Sequence, residues 1–264
     1  MGRPVITLTT DFGLEDHFVG VMKGVILRVA PEAEIVDITH AVTAFDIMDG
    51  ALTLAAAYRY FPAHAIHVVV VDPGVGSVRR PILVRAGGYR FVAPDNGVLS
   101  AVYAREKDLR AWHVTSKQYF LQPVSNTFHG RDVFAPVAAY VAAGVAPEAF
   151  GPEIKDCVRL PLPKPALEGT NTIRGAVLMI DRFGNLMTNI RPEDAPQVFE
   201  GRKVRICIGA REITSIRSSY AESESGELFG ILGSSGVLEI AANRASAEQI
   251  TVASAGDEVT VTWE

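Results

Sequence analysis

The chain has 264 residues, 48% hydrophobic and 21% charged, and its 25 Lys plus Arg against 30 Asp plus Glu give a formal charge of -5. That length holds one or two domains with a proper core, and the composition excludes disordered, collagenous and disulfide-stapled classes. The acidic balance argues against nucleic acid as a partner. No apolar run approaches the ~20 residues of a spanning helix and no charged-then-apolar leader opens the chain, so a cytoplasmic protein without a membrane partner is expected.

The first half alternates strand-like and helix-like segments. Residues 5–9 are β-branched but for Leu8, and Phe18, Val19, Met22, Val25, Ile26 and Val29 then recur at the three-and-four spacing of one buried helix face, closed by Pro31. Residues 34–38 read as a strand, 47–60 as an amphipathic helix ended by Pro62, and 65–71 as a strand buried on both faces. This β-α-β-α-β start predicts a mostly parallel α/β sheet whose ligand crevice lies outside the carboxyl ends of its strands. Residues 81–86 and 89–92 flank Gly87-Gly88 as a hairpin, and 131–143 read as one more helix.

Pro147, Pro152, Pro161, Pro163 and Pro165 then mark a connecting segment. It divides the chain into an α/β domain, 1–165, and a smaller all-β, barrel-like C-terminal domain, 166–264. The latter rests on β-rich runs at 176–180, 204–208, 212–216, 237–240 and 258–263. Cys157 and Cys207, the only cysteines, lack C-x-x-C spacing and read as interior thiols.

Three polar clusters follow apolar strands of the first domain. Asp11, in Thr9-Thr10-Asp11-Phe12-Gly13, reads on these residues alone first as a turn or capping residue, with a carboxylate accepting from a ribose diol as the alternative. Asp72 opens Asp72-Pro73-Gly74-Val75-Gly76-Ser77-Val78-Arg79-Arg80. It leaves a strand too apolar to solvate a carboxylate, which calls for a partner from Arg79 or Arg80. The glycine order there is not that of a phosphate loop. His129, in Asn126-Thr127-Phe128-His129-Gly130-Arg131-Asp132, is set near a helix N-terminus that favours the neutral imidazole. It is either a hydrogen-bonded structural residue or a proton acceptor, the latter if it meets Asp72 and Arg79. The remaining histidines show no ligand spacing. In the second domain Phe183 and Asn185 combine a stacking ring with an amide, a purine-pocket pattern that a hairpin explains almost as well.

Taken in order, these pieces resemble the S-adenosylmethionine (SAM) hydroxide adenosyltransferase family, the adenosine-forming SAM hydrolases related to the fluorinating and chlorinating enzymes. The carriers are Thr10-Asp11-Phe12-Gly13, Asp37-Ile38-Thr39-His40, Val71-Asp72-Pro73-Gly74-Val75-Gly76, Pro94-Asp95-Asn96-Gly97, the 127–132 motif, and Asp181-Arg182-Phe183-Gly184-Asn185 through Thr188-Asn189-Ile190. The resemblance implies an Asp72, Arg79 and His129 water-activating triad. Asp11 would hold the ribose, Phe45 pack on sugar and adenine, and Phe183 and Asn185 contact adenine. Asp16, Asp181 and Ser234 would hold the methionine amine and carboxylate, with Ser235 and Arg244 nearby. Where this chain has Ser235 the fluorinating enzymes carry arginine.

The same resemblance implies hydrolysis of SAM to adenosine and L-methionine without metal or cofactor. It also implies a homotrimer with substrate held between the first domain of one chain and the second domain of its neighbour. Competing readings are a halide-dependent adenosyltransferase, a non-catalytic SAM or nucleoside binder, and a metal-dependent phosphohydrolase built on Asp11, Asp72 and Asp95.

Overall fold

The computed structural model describes residues 2–264. The chain forms two compact units, Met1–Pro161 and Leu162–Glu264. The division precedes the 165/166 boundary read from proline density. Asn189 Nδ2 donates to the Pro163 carbonyl (3.2 Å), which ties the last prolines to the second unit.

In the first unit, β1 (Val5–Thr10), α1 (Phe18–Val29), β2 (Glu34–Thr39), α2 (Ile47–Ala57), β3 (Ile66–Val70), β4 (Pro81–Ala86), β5 (Tyr89–Pro94), α3 (Ser100–Arg105), β6 (Arg110–His113), α4 (Ala135–Ala142) and β7 (Glu153–Ile154) follow in order. One sheet results, ordered β2-β1-β3-β5-β4-β6-β7. Its β2-β1-β3-β5 half is parallel. From β5 onward the pairs are antiparallel, because Gly87 and Gly88, at φ 57° and 85°, close β4 onto β5 as a tight hairpin. β3 is buried along its whole length, as a central strand covered on both faces must be.

Helices cover both faces. α1 turns Val19, Met22, Val25 and Ile26 inward, where they join Ile6, Leu8, Val68, Val70 and the apolar side of α4. α2, α3 and the turn before α3 cover the other face with Leu54, Val102 and Val98 over Val69, Val71 and Phe91. Two helices depart from the sequence expectation. The 47–60 segment is α-helical only to Ala57, and Tyr58–Tyr60 tightens into a 3₁₀ turn before Pro62. The 131–143 segment begins as a π turn, Gly130–Phe134. Pro136 has no N–H to give the Asp132 carbonyl, which accepts instead from the Leu121 N–H (2.9 Å).

The second unit contains β8 (Ala166–Glu168), β9 (Thr172–Ile180), β10 (Leu186–Thr188), α5 (Pro196–Phe199), β11 (Val204–Ile208), β12 (Arg211–Ile213), β13 (Ile216–Arg217), β14 (Leu228–Leu232), β15 (Leu238–Ala242), α6 (Ala247–Thr251) and β16 (Glu258–Trp263). Its sheet runs β12-β11-β16-β9-β10-β15-β14-β13 with β8 beside β9, and it curls so that β12 approaches β14. Ile173, Val177, Leu186, Ile206, Ile240, Val259, Val261 and Trp263 fill its interior. Cys157 and Cys207 are free and only partly buried, so neither is the fully interior thiol expected. Among the described residues no helix is long and apolar enough to cross a membrane.

Candidate active site

The carboxyl ends of β1 and β3, adjacent through Thr10 and Val70, carry the loops that open with Asp11 and Asp72. Each loop is pinned by residues of its own motif. Thr10 Oγ1 bonds His40 Nδ1 (2.8 Å) and accepts from the Phe12 N–H (3.2 Å). His40 Nε2 lies 3.1 Å from Asp37 Oδ1, and the His40 carbonyl accepts from Gly13 N (2.8 Å). This chain of contacts fixes the turn that presents Asp11. Asp11 Oδ2 in turn accepts from the Phe45 N–H (2.9 Å). Phe45 stands in the left-handed region at φ 67° with 73% of its surface exposed, an unfavourable backbone state that displays a large apolar ring to solvent. Asp16 is exposed on the loop leading to α1.

The Asp72 loop is held from two sides. Asn96 Nδ2 donates to the Val71 carbonyl (2.9 Å) just before Asp72. Gly76, at φ 77°, lies so close to the Asn126 carbonyl that any side chain there would collide with it, which brings the loop against the segment leading to His129. Phe12, Phe18 and Phe128 pack ring to ring, with centroids 5.1–6.0 Å apart, and join the Asp11 turn to that same segment.

Asp72, Arg79 and His129 therefore meet. Arg79 Nε donates to Asp72 Oδ1 (2.9 Å), and Nη2 contacts both Asp72 Oδ2 and His129 Nδ1, the latter at 2.6 Å. The Arg79 and Asp72 side chains are 9% and 5% exposed. The guanidinium lies 5.2 Å from the centroid of Phe134, a ring supplied by the π turn. Arg80 takes a different partner, donating from Nε to Asp95 Oδ2 (2.9 Å) and from Nη1 to Asp156 Oδ1 (2.9 Å). Burial and the Arg79 cation push the His129 imidazole below its ordinary value, partly opposed by Asp72, Asp132 and a backbone hydrogen bond at Ser125. Because an arginine can only donate, Nδ1 is the accepting nitrogen and the proton of neutral His129 sits on Nε2.

The three carboxylates of the phosphohydrolase reading are parted. Asp11 holds a backbone N–H, Asp72 holds Arg79, and Asp95 accepts from Arg80 and from the Val158 N–H (2.8 Å).

In the second unit, Asp181 organises a turn by accepting from the Phe183 and Asn185 N–H groups (both 2.9 Å) and from Asn185 Nδ2 (2.8 Å). Asn185 is buried and its amide is partly committed to Asp181, whereas Phe183 is 76% exposed on the same turn. Gly184, at φ 80°, abuts Ser246. Ser234 is exposed and Ser235 half-buried in the turn between β14 and β15, and Arg244 is exposed at φ 55° just beyond β15. Tyr220 and Glu239 were not singled out by sequence reasoning. Tyr220 packs edge-on against Phe229, and Glu239 is buried although charged. Strand alternation places Glu239 on the face opposite Leu238 and Ile240, the ordinary side for a glutamate, so no sequence signal marked its burial.

Comparison with known proteins agrees with this layout. Profiles of the SAM hydroxide adenosyltransferase N-terminal and C-terminal domains match residues 6–151 and 175–260. Proteins named (R)-S-adenosyl-L-methionine hydrolase from Salinispora arenicola and Thermus thermophilus are each 37% identical, over 98% and 94% of both chains respectively. A fluorinase from Nocardia brasiliensis is 30% identical over 92% of each chain. A crystal structure of an uncharacterised conserved protein from Thermotoga maritima superimposes with a TM-score of 0.92 at 36% identity, covering 97% of this chain and 99% of the other. On these matches the chain belongs to the SAM hydroxide adenosyltransferase family of enzymes.

Proposed function

We propose that this protein hydrolyses S-adenosyl-L-methionine to adenosine and L-methionine by in-line attack of water on C5′. The observation that carries the reading is the contact of Arg79 with both Asp72 and His129 at the carboxyl edge of the sheet. A sulfonium departs as neutral thioether, so no acid must protonate it and no metal must polarise it. The difficulty lies in the nucleophile. In this mechanism a water takes the place of the direct Arg79–His129 contact: it receives the N–H that the guanidinium now gives to Nδ1 and offers its own proton to the lone pair so released. Asp72 keeps the guanidinium plane oriented for that exchange. As hydroxide character and sulfonium approach, opposite charges neutralise, and a site shielded from water favours that step.

Asp11 holds the ribose hydroxyls in this reading, and Phe45, Phe183 and Asn185 contact sugar and adenine. Asp16, Asp181, Ser234, Ser235 and Arg244 surround the methionine end. Phe45, whose N–H is held by Asp11, and Phe183, on the turn organised by Asp181, each carry an exposed ring free to stack on a flat ligand in this reading. The functional assembly is a homotrimer, which solution mass tests directly.

The decisive experiment incubates EDTA-treated protein with SAM and sodium chloride and identifies the nucleoside by chromatography and mass. Adenosine with stoichiometric methionine supports the proposal. A 5′-chloro nucleoside moves the assignment to halide transfer, the activity class suggested by the fluorinase relatives. Bound SAM with no product reduces the protein to a binder and removes the triad's role.

A further inference from the structure

One buried carboxyl of the second unit has no part in the mechanism above. Glu239, on β15, is 7% exposed. It points away from the main core of its unit, flanked across the strands by Met187 and Ile231. Its carboxyl is pressed against the turn 233–236, where a side chain at Gly233 would fall inside it. That turn closes β14 onto β15, with Gly233 N donating to the Val237 carbonyl (2.9 Å). Ser235 Oγ donates to Glu239 Oε1 (3.2 Å).

Among the described residues no cation acts on this carboxyl. Burial pushes the Glu239 carboxyl above its ordinary value and the negative Asp181 adds to this, while only the Ser235 hydroxyl opposes them. Asp181 accepts exclusively from groups of its own turn. A buried carboxylate without a counter-ion would gain from a cation brought close to it, and a cationic ligand group is one that could supply it. The Ser235 hydroxyl directs its proton to Glu239, which leaves its oxygen lone pairs to accept from whatever occupies the neighbouring space.

We infer that Glu239 is a positioning and specificity-determining residue, which orients Ser235 as an acceptor for the α-ammonium of the methionine half of the substrate. The identity of that ligand rests on the SAM reading; the orientation of Ser235 rests on the geometry alone. A guanidinium at 239, which can only donate, would invert the polarity of Ser235 and turn it toward a carboxylate instead, and a glutamine, which offers a donor as well as an acceptor, no longer holds it to one polarity.

The test is calorimetric. S-adenosyl-L-homocysteine, whose thioether is not a leaving group, and its analogue lacking the α-amino group are titrated into wild type, Glu239→Gln and Ser235→Ala. Glu239→Gln is expected to weaken the amino ligand about tenfold, the scale of one hydrogen bond to a charged group, and to leave the deaminated one within about twofold. Ser235→Ala is expected to show the same selectivity, and the double variant to add little to either. Equal weakening of both ligands, or of neither, overturns the inference, as does a wild type that binds neither. Adenosine release from SAM by the wild type is scored separately, so failure of the hydrolase reading and failure of this assignment are told apart. Unchanged thermal unfolding of Glu239→Gln excludes a loss of fold as the cause, and rescue of amino-ligand affinity by Glu239→Asp is not expected, because the shorter carboxyl no longer reaches Ser235.

Discussion

Replacing Arg79 with lysine keeps the charge and removes the fork. The guanidinium makes three contacts from two nitrogens, two to Asp72 and one to His129, and its centre lies 5.2 Å from the Phe134 ring centroid. A lysine ammonium cannot reproduce that planar pair of reaches, so two of the three contacts are lost. At about 1.5–3 kcal/mol for each hydrogen bond between charged or charge-assisted groups, the total is about 3–6 kcal/mol, shared between folding and the transition state. If half falls on the transition state, turnover drops by about tenfold to about 140-fold, since each ~1.4 kcal/mol is a factor of ten. The remainder lowers Tm by about 3–12 °C, at about 2–4 °C per kcal/mol for a chain of this size. The assay is adenosine release at saturating SAM, paired with thermal unfolding of the same samples. Arg80→Lys is the internal control. It breaks the Asp95 and Asp156 contacts next door, and it is expected to cost stability while leaving kcat close to wild type. Should Arg79→Lys turn over within about threefold of wild type, or should both lysine variants lose kcat alike, the assignment of Arg79 to the nucleophile is wrong.

Two further expectations concern pH. His129 is held below its ordinary value by burial and by Arg79, so it is neutral at pH 7 and protonates only on the acid side. The kcat/KM of the wild type is therefore expected to fall as pH drops, with its midpoint below 6.5, and His129→Gln is expected to abolish that limb; a midpoint above 6.5 contradicts the role. His67 tests stability instead. Its Nδ1 bonds Thr7 Oγ1 (2.7 Å) inside a box of Tyr58, Phe61, Tyr89 and Phe91, and burial lowers its pKa to about 4. The unfolded chain takes up this proton near 6.5 and the folded chain only near 4, so the contribution is complete above 6.5 and is lost as pH falls through that window. Acidification from pH 7 to 4 is expected to remove about 3 kcal/mol through this one group. Urea unfolding of wild type and His67→Gln at both pH values measures it, and equal acid losses in the two proteins refute it.

Much of the first unit is written in local periodicity. The valine run that ends in Val71 can only be a strand covered on both faces, and Phe18 to Val29 carries a complete helical stripe. Gly87-Gly88 announces the hairpin and hence the antiparallel half of the sheet. The short elements α3, β6 and β14 escape because a few residues do not complete a period, and tertiary packing decides them. The π turn depends on the Pro136 N–H that is missing and on the distant Leu121 that fills the gap, a pairing no local pattern contains.

The site shows the same division. Asp72 needed a cation and two adjacent arginines offered one, but their different partners are set by Asp95 and Asp156, far along the chain. The motifs around His40 and Asn96 attract attention by composition, yet their work is to clamp the turns before Asp11 and Asp72. Glu239 was passed over because a glutamate in a strand ordinarily faces water, and only the fold shows what lies above it.

The neighbouring arginines also govern how this protein can change over evolutionary time. Asn96 grips the chain just before Asp72, Asn126 crowds it at Gly76, and Asp95 grips it again at Arg80. Between those anchors the residue count decides which arginine arrives at Asp72. Val78, fully exposed, is free to be almost any residue. An insertion or deletion in the same stretch is another matter, because it changes the register by which Arg79 reaches the carboxylate and Arg80 its own acid. The loop is thus open to substitution and closed to change of length, whereas loops without such anchors tolerate both.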